Sequence, residues 1–472
     1  MARYSVKPSV KSHVSLLSGV LLFLFGLGGD GQAHEAQLSP AIQINNNIGR
    51  VNELTNLILK EEIDLERFYT RYRIAGSKEP RLRRLRYFLL QQAATSLFLG
   101  SNIVSVQQFG GHLSNPKGVS IRALRNSNNA GLIASAFEGG SSGLEFGSNW
   151  FLARTNKKHE RDPGFAKRIV RIKLEQIENL LAERDQLLGN NGDDRLYELC
   201  LAEGDVLRYF RDWCVYEFAD AYADIKSYQA SNNVYYALDV TSSSVYLASY
   251  VLSYRGLYNP FYFASSSIVG IVGDSLGIVS APGSSLAYKL LYKHQTNRLS
   301  KYLGQQFYDA EAKTKNAVAK LEELSFIGSQ KNLSRIDQLR TRLTVYKLWA
   351  ERHHVFIEKR ETELRRLSKI AEQSNIAGPL ISGAFLQQDI IGAVAGYRLR
   401  KNLKASNNSV FAAAIPITAA SGSSFALTSY WFVDDVLHTN YLKRRNELPL
   451  EMLQKRLITL DELSSILDGS IK

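Results

Sequence analysis

Cysteine and methionine are scarce in this chain: each occurs twice among 472 residues. Two cysteines are too few for a disulfide framework or a cysteine-ligated zinc module. Charged residues make up 22% and apolar residues 45% of the chain, which excludes global disorder and a collagen-like repeat. No stretch of useful length alternates apolar and polar residues, so strands are not expected. We predict an all-α fold.

Sequence motifs for catalysis are also missing. There is no glycine-rich phosphate loop followed by Lys-Ser or Lys-Thr, and no Gly-x-Ser-x-Gly nucleophile turn. Glu351 and His354 have the ligand spacing of di-iron bundles, but no second copy accompanies them, and a solvated charged face explains the pair better. Cys200 and Cys214 would lie about 21 Å apart on one helix, so we expect two separate buried thiols. The prediction is a non-enzymatic protein without cofactor or metal ion.

The first 33 residues have the three parts of a secretory signal peptide. Arg3, Lys7 and Lys11 form a basic leader, and an apolar run over 14–29 follows it. Small residues up to Ala33 then provide a cleavage site. The apolar run is short for a membrane span, although an uncleaved anchor is the alternative. We predict export, with cleavage after Ala33 or nearby.

The chain is basic, with 58 Lys and Arg against 45 Asp and Glu. Removal of the predicted signal peptide leaves 55 basic and 44 acidic residues, a net charge of +11. A basic surface usually suggests nucleic acid as a partner. Outside the cytoplasm, anionic lipid or wall polymer fits the same charge better. We therefore expect membrane lipid, and no nucleic acid, among the partners.

Four short sequence markers recur in one order at an interval of about 141 residues, the pattern of a repeat protein. They are centred on Leu65, Leu207 and Leu348; on Ser142, Ser285 and Ser424; on Thr155, Thr296 and Thr439; and on Leu181, Leu321 and Leu460. A single match arises easily by chance, whereas four in one register do not. We predict three tandem repeats, at 34–190, 191–328 and 329–472.

Each predicted repeat contains an amphipathic lead helix, two uncharged segments joined by a polar loop, and an amphipathic closing helix. The lead helices are predicted at 43–75, 195–228 and 330–372, and the closing helices at 165–188, 305–327 and 446–468. In the first closing helix, Val170, Leu174 and Ile177 recur at spacings of four and three and therefore share one face. These faces pack within the chain in the simpler interpretation; an intermolecular coiled coil is the alternative.

The uncharged segments are long enough to cross a bilayer, which requires about twenty mainly apolar residues. Residues 87–116 and 406–433 carry no charge, and 256–288 carries only Asp274. Frequent Ser, Asn and Gln lower their hydropathy, so a soluble small-residue bundle is the alternative. Two crossings per repeat would return the chain to its starting side. Export then places the amphipathic helices outside the cytoplasm and the three basic hairpin loops inside. The loop charges agree with the positive-inside rule, whereas Arg81, Arg83, Arg84 and Arg86 lie just before the first segment on the other side.

Small residues recur at every fourth position in the second uncharged segment of each repeat. They are Gly139, Gly143 and Gly147; Gly273, Gly277, Ala281 and Ser285; and Ala420, Ser424 and Thr428. This spacing places each set on one helix face, where two backbones can approach closely, and we expect that contact between the two helices of a hairpin. Glu138, Glu145 and Asp274 also lie in these segments. In a membrane they would face the bundle interior and be candidates for function.

Together these patterns favour an exported, membrane-embedded helical protein of the cell envelope. It would act as a non-enzymatic anchor or interaction scaffold and bind itself or another envelope protein through its amphipathic helices. The first alternative is a transporter or pore, in which three hairpins surround a pseudo-threefold axis and Asp274 or Glu138 lines the path. The second alternative is a soluble periplasmic scaffold.

Overall fold

A computed structural model describes residues 40–77, 81–158, 162–189, 195–304, 310–327 and 333–470. The chain divides into two units, Met1–Ile48 and Gly49–Lys472. Every side chain discussed below belongs to the second unit. The predicted signal peptide lies outside the described residues.

The regular structure of the described residues is helical throughout, which confirms the all-α prediction. The α-helices in these ranges are α1 (Pro40–Ser77), α2 (Arg81–Gly110), α3 (Ile121–Lys158), α4 (Pro163–Leu188), α5 (Arg195–Gly256), α6 (Pro260–Leu303), α7 (Ala310–Ile327), α8 (Leu333–Tyr397), α9 (Leu403–Arg444) and α10 (Pro449–Ser470). A 3-10 turn, Pro116–Gly118, lies between α2 and α3. The helices α4, α7 and α10 occupy the places predicted for the closing helices.

Local sequence explains where several helices begin and end. The Asn259 side chain accepts a hydrogen bond from the Phe261 N–H at 3.1 Å, and Pro260 occupies the first helical position of α6. Gly189 follows α4 and Gly304 follows α6, with φ angles of 56° and 71°. A side chain is disfavoured at such positive φ values, so glycine suits both positions.

One group of helices packs around an apolar core, and we call it the apolar-core bundle. It consists of α1, α4, α7, α10, the N-terminal parts of α5 and α8, and the C-terminal end of α6, where Leu299 and Leu303 are buried. Phe210 stacks on Trp349 in its centre, with ring centroids 4.3 Å apart. Buried ion pairs cross this core: Arg342 donates to Glu203 at 2.6 Å, and Arg456 donates to Glu66 at 2.6 Å.

The remaining helical segments close into a ring. Around it, α2 packs on α3, α3 on α5, α5 on α6, α6 on α8, α8 on α9, and α9 back on α2. We call these six segments, which include only the C-terminal parts of α5 and α8 and leave out the C-terminal end of α6, the six-helix ring. It consists of three consecutive hairpins: α2–α3, α5–α6 and α8–α9.

Candidate functional site

The six-helix ring has the opposite polarity to the apolar-core bundle. Its interior is built from small and polar residues, including Ser101, Asn102, Ser127, Ser142, Ser243, Ser266, Asp274, Asn407 and Ser421. Its exterior carries large apolar side chains, including Leu89, Ile133, Leu144, Val272, Leu380, Ile390 and Ile415. Leu380, for example, is 70% exposed, whereas Asp274 is 0% exposed. Water-soluble helical proteins have the reverse arrangement.

Side-chain hydrogen bonds join each neighbouring pair of helices around the ring. The pairs are Ser101–Ser127 (α2–α3, 3.0 Å), Asn149–Asn233 (α3–α5, 2.8 Å), Ser249–Ser266 (α5–α6, 2.9 Å), Ser285–Asn375 (α6–α8, 3.0 Å), Trp431–Gln373 (α9–α8, 3.3 Å) and Asn102–Ser421 (α2–α9, 2.8 Å). These bonds connect the helices of the ring together with buried alanines and aromatic pairs, such as Phe88 of α2 stacked on Phe432 of α9.

The small-residue face of each second hairpin helix meets the first helix of the following hairpin. On α3, a Cβ atom at Gly139 would lie 3.0 Å from Cβ of Ser243 on α5. On α6, a Cβ atom at Gly277 would lie 2.9 Å from Oγ of Ser382 on α8. On α9, Thr428 accepts a hydrogen bond from Gln92 on α2. These three contacts therefore join successive hairpins and close the ring, whereas the sequence suggested a contact within each hairpin.

The other members of the three faces divide among several surroundings. Ser285 bonds to Asn375 on α8, and Ala281 is the residue nearest to a Cβ atom built at Gly378 of the same helix. A Cβ atom at Gly273 would lie 3.1 Å from Cε1 of Tyr246, which belongs to the same hairpin. A Cβ atom at Gly143 would be 3.9 Å from Val240 on α5, and no described atom lies within 4 Å of one at Gly147. Ala420 and Ser424 precede Thr428 by two turns and one turn on α9.

Four carboxyl groups lie inside the ring, on four different helices. Glu138 of α3 lies close to Asp239 of α5, which accepts a hydrogen bond from Ser142. Asp274 of α6 accepts a hydrogen bond from Tyr246 and lies close to Asp389 of α8. The structure thus brings the predicted candidates Glu138 and Asp274 each close to an acid that the sequence did not single out.

These acids have no basic residues around them in the sequence. The ring segments 87–116, 126–153, 227–254, 256–288, 370–397 and 406–433 contain neither Lys nor Arg. Asp239 and Asp389 lie on α5 and α8, which continue directly from the charged lead helices, so the uncharged character of these stretches is hard to recognise in the sequence. An acid within a run that lacks Lys and Arg is the signal that identifies both residues.

Glu145, the third predicted intramembrane acid, has a different environment. It is 1% exposed, and it accepts hydrogen bonds from Arg83 and Arg86, both near the start of α2. A surface groove of about 830 Å³ opens beside this cluster. Its walls are Arg83 and Arg86 of α2 and Gly143, Leu144, Gly147, Ser148, Phe151 and Leu152 of α3.

The apolar-core bundle contains a buried acid of its own. Glu62 is 0% exposed, and neither of its carboxyl oxygens has a hydrogen-bond partner among the described residues. Burial raises the pKa of Glu62 well above its usual range; Arg211 opposes this rise and Asp212 adds to it. Cys200 and Cys214 are both buried and are not joined by a disulfide, as predicted. Burial also raises the pKa of the Cys214 thiol.

Two stretches of the described residues are long and apolar enough to cross a membrane. They are Phe261–Leu303, which lies in α6, and Leu403–Asp468, which contains α9. The most apolar 18 residues of each stretch have mean hydropathies of 1.4 and 1.6, and only 39% and 28% of these residues are buried. Most of these residues therefore face outward, unlike the core helix of a soluble protein. Among the described residues, no group of three or more His, Cys, Asp or Glu is placed to hold a metal ion.

Comparison with known proteins adds no family to this description. No protein-family model, curated protein or solved structure matches the chain.

Proposed function

We propose that this chain is an exported membrane protein of the cell envelope that acts as a non-enzymatic anchor and interaction scaffold. The six-helix ring lies in the bilayer, and the apolar-core bundle lies outside the cytoplasm, where it contacts another copy of the chain or another envelope protein. The observation that carries this proposal is the inverted polarity of the ring relative to the bundle.

The energetics of burial support a lipid environment for the ring. In water, burying a Leu or Val side chain stabilises a fold by about 1.5–3 kcal/mol. The outward side chains of the ring are exposed and would not contribute this stabilisation. Its buried serines and glycines supply little hydrophobic stabilisation in exchange. In a bilayer the outward apolar side chains contact acyl chains, while close packing of small residues and interhelical hydrogen bonds hold the helices together.

The arrangement of the ring also supports three tandem repeats of about 141 residues. The same relation, from the second helix of one hairpin to the first helix of the next, occurs three times around the ring. In the first hairpin the hydroxyls of Ser101 and Ser127 each donate to the other residue's carbonyl oxygen, at 3.0 and 2.9 Å. In the second hairpin Ser249 and Ser266 form the same reciprocal pair, at 2.9 and 2.8 Å.

The charges of the hairpin loops support one orientation in the membrane. The bases at these turns are Lys117, Arg122 and Arg125; Arg255; and Arg398, Arg400, Lys401 and Lys404, without an acid among them. The positive-inside rule places such loops in the cytoplasm. The apolar-core bundle, at the other end of the hairpins in the sequence, then lies outside it.

Spin labels at matched exposed positions test whether the ring is in lipid. Val272 and Leu380 are 52% and 70% exposed on the ring, and Leu201 and Ile458 are 42% and 59% exposed on the bundle. Each residue is replaced by a labelled cysteine in the full chain, reconstituted in bilayers, and its collisions with oxygen and with a water-soluble nickel chelate are measured. Ring labels should favour oxygen, and bundle labels should favour nickel. Equal preference for nickel at all four positions would refute the membrane-embedded ring.

A transporter is the second candidate, and the base-free interior of the ring favours it. A charged side chain at the centre of a bilayer costs several kcal/mol, so Glu138, Asp239, Asp274 and Asp389 would be expensive in a purely passive anchor. Protons or small cations are the species that such an interior would move.

Proteoliposomes separate the two candidates. A potassium gradient with valinomycin imposes a membrane potential, and an internal pH-sensitive dye reports proton entry. Transport is favoured if the wild type and the control variant Asp435→Asn support proton uptake and Asp274→Asn does not. Asp435 is a half-exposed acid of α9. Uptake equal to that of protein-free liposomes would leave the anchor as the function.

A further inference from the structure

We propose that the groove between α2 and α3 is a binding site for an anionic phospholipid of the bilayer. The lipid phosphate contacts the guanidinium group of Arg86, and one acyl chain lies along the α3 wall. This inference rests on the proposed location of the ring in the membrane. It adds a specific ligand, with a defined headgroup charge, at a defined position.

The polar end of the groove has an excess of positive charge. Two arginines share one carboxylate: Arg83 and Arg86 both donate to Glu145, which is 1% exposed. Arg83 is 11% exposed, and its Nη2 atom also donates to the Glu145 carbonyl oxygen at 3.1 Å and to Asn149 at 2.7 Å. Arg86 is 43% exposed and lines the groove. One positive charge therefore remains beyond the carboxylate, on a guanidinium group that Glu145 holds in place.

The rest of the groove fits a hydrocarbon chain. No described atom lies within 4 Å of a Cβ atom built at Gly147, and the atom nearest to a Cβ built at Gly143 is 3.9 Å away. The two glycines therefore leave open space along this side of the groove. Leu144, Phe151 and Leu152 form apolar walls and are 51%, 65% and 41% exposed. An acyl chain on this surface would cover exposed apolar area beside a fixed positive charge.

The position of the groove along the helices favours a bilayer lipid over a soluble anion. Arg83 and Arg86 lie in the first turns of α2, and the uncharged run that begins at Tyr87 follows immediately. Trp150, which is 62% exposed, stands on α3 beside the groove, and indole rings are enriched where hydrocarbon meets headgroups. Basic pockets at that level of a membrane helix pair recognise acidic headgroups, and a guanidinium group matches a phosphate diester in shape and charge.

Native mass spectrometry of the full chain in mild detergent tests the site. The protein is titrated with phosphatidylglycerol and, separately, with zwitterionic phosphatidylcholine of the same acyl chains. The wild type should bind the first lipid in preference to the second. Arg86→Gln should weaken phosphatidylglycerol binding about tenfold, the effect of losing one charge-assisted contact. Gly147→Trp should block both lipids by filling the groove, because a side chain has room there.

The matched control is Arg84→Gln, which removes a charge from the same turn of α2 but not from the groove. It should bind phosphatidylglycerol as the wild type does. Unchanged binding by Arg86→Gln, or an equal loss in Arg84→Gln, would overturn the site. Competition by inorganic phosphate at equal concentration would also overturn it, because the ligand would then be a free anion. The spin labels on Val272 and Leu380 would still report lipid if only this site failed, so its failure is distinguishable from failure of the proposed function.

Discussion

Removing the buried carboxyl group of Glu62 should stabilise the apolar-core bundle. Glu62 is 0% exposed and lacks a hydrogen-bond partner among the described residues. A buried polar group without a partner costs about 1–3 kcal/mol, and more when it is charged. Methionine has nearly the same length and shape as glutamate and no polar group to satisfy. Glu62→Met should therefore raise the free energy of unfolding at pH 7 by about 1–3 kcal/mol.

The same residue should give the wild type a characteristic pH dependence. Burial raises the pKa of Glu62 in the folded protein above the ordinary value of 4.5. Between 4.5 and the raised value the folded state binds more protons than the unfolded state. The contribution of Glu62 to stability therefore falls as pH rises above about 4.5, by at most about 1.4 kcal/mol per pH unit, and becomes constant above the raised pKa. Glu62→Met should lack this component, so the two proteins should become more alike at acidic pH.

Thermal unfolding of the full chain in detergent, followed by tryptophan fluorescence from pH 4 to pH 8, measures both effects. Trp213 and Trp349 are buried in the apolar-core bundle and report on it. Glu53→Gln is the control, because Glu53 is 67% exposed, and it should change stability by no more than about 0.5 kcal/mol. If Glu62→Met is no more stable than the wild type and follows the same pH profile, the carboxyl group has a compensating partner and the reasoning is wrong.

Three further predictions follow from other parts of the chain. A Cβ atom at Gly396 would lie 2.7 Å from Cβ of Ala264 and 3.0 Å from its backbone N and Cα, so Gly396→Ala should destabilise the ring by about 1–3 kcal/mol. Gly383→Ala on the same helix, with no described atom within 4 Å, should not lower thermal stability, and equal losses would refute this contact. N-terminal sequencing of the mature protein should begin near His34 or Gln37, and an intact Met1 would contradict export. Cys200 and Cys214 are buried and should react with maleimide only after unfolding; rapid labelling of the native chain would contradict their burial.

Helix content and many helix boundaries could be predicted from local sequence. Val170, Leu174 and Ile177 recur at helical spacing, and all three are buried on α4. Asn259 and Pro260 mark the start of α6, and glycines follow the ends of α4 and α6. These signals are local because a helix forms through contacts three and four residues apart along the chain.

The candidate site was only partly predictable. Glu138 and Asp274 are recognisable as acids in base-free runs, but their partners Asp239 and Asp389 lie on other helices. Likewise, the spacing of Gly139 and Gly143 shows that they share a helix face without showing which helix covers it. Chemical type and helix face are properties of the local sequence, whereas the pairing of faces is not.

Tertiary structure alone decided that the small-residue faces close a ring between successive hairpins. Glycine and serine faces are nearly interchangeable as surfaces for close approach, so local patterns leave several pairings equally acceptable. The choice depends on contacts between distant segments, such as Asn102 with Ser421 and Ser285 with Asn375. Only when α9 packs against α2 does the ring acquire an interior, with the acids inside and the large apolar side chains outside. Periodicity predicts that a helix has two faces, and the folded chain determines what each face meets.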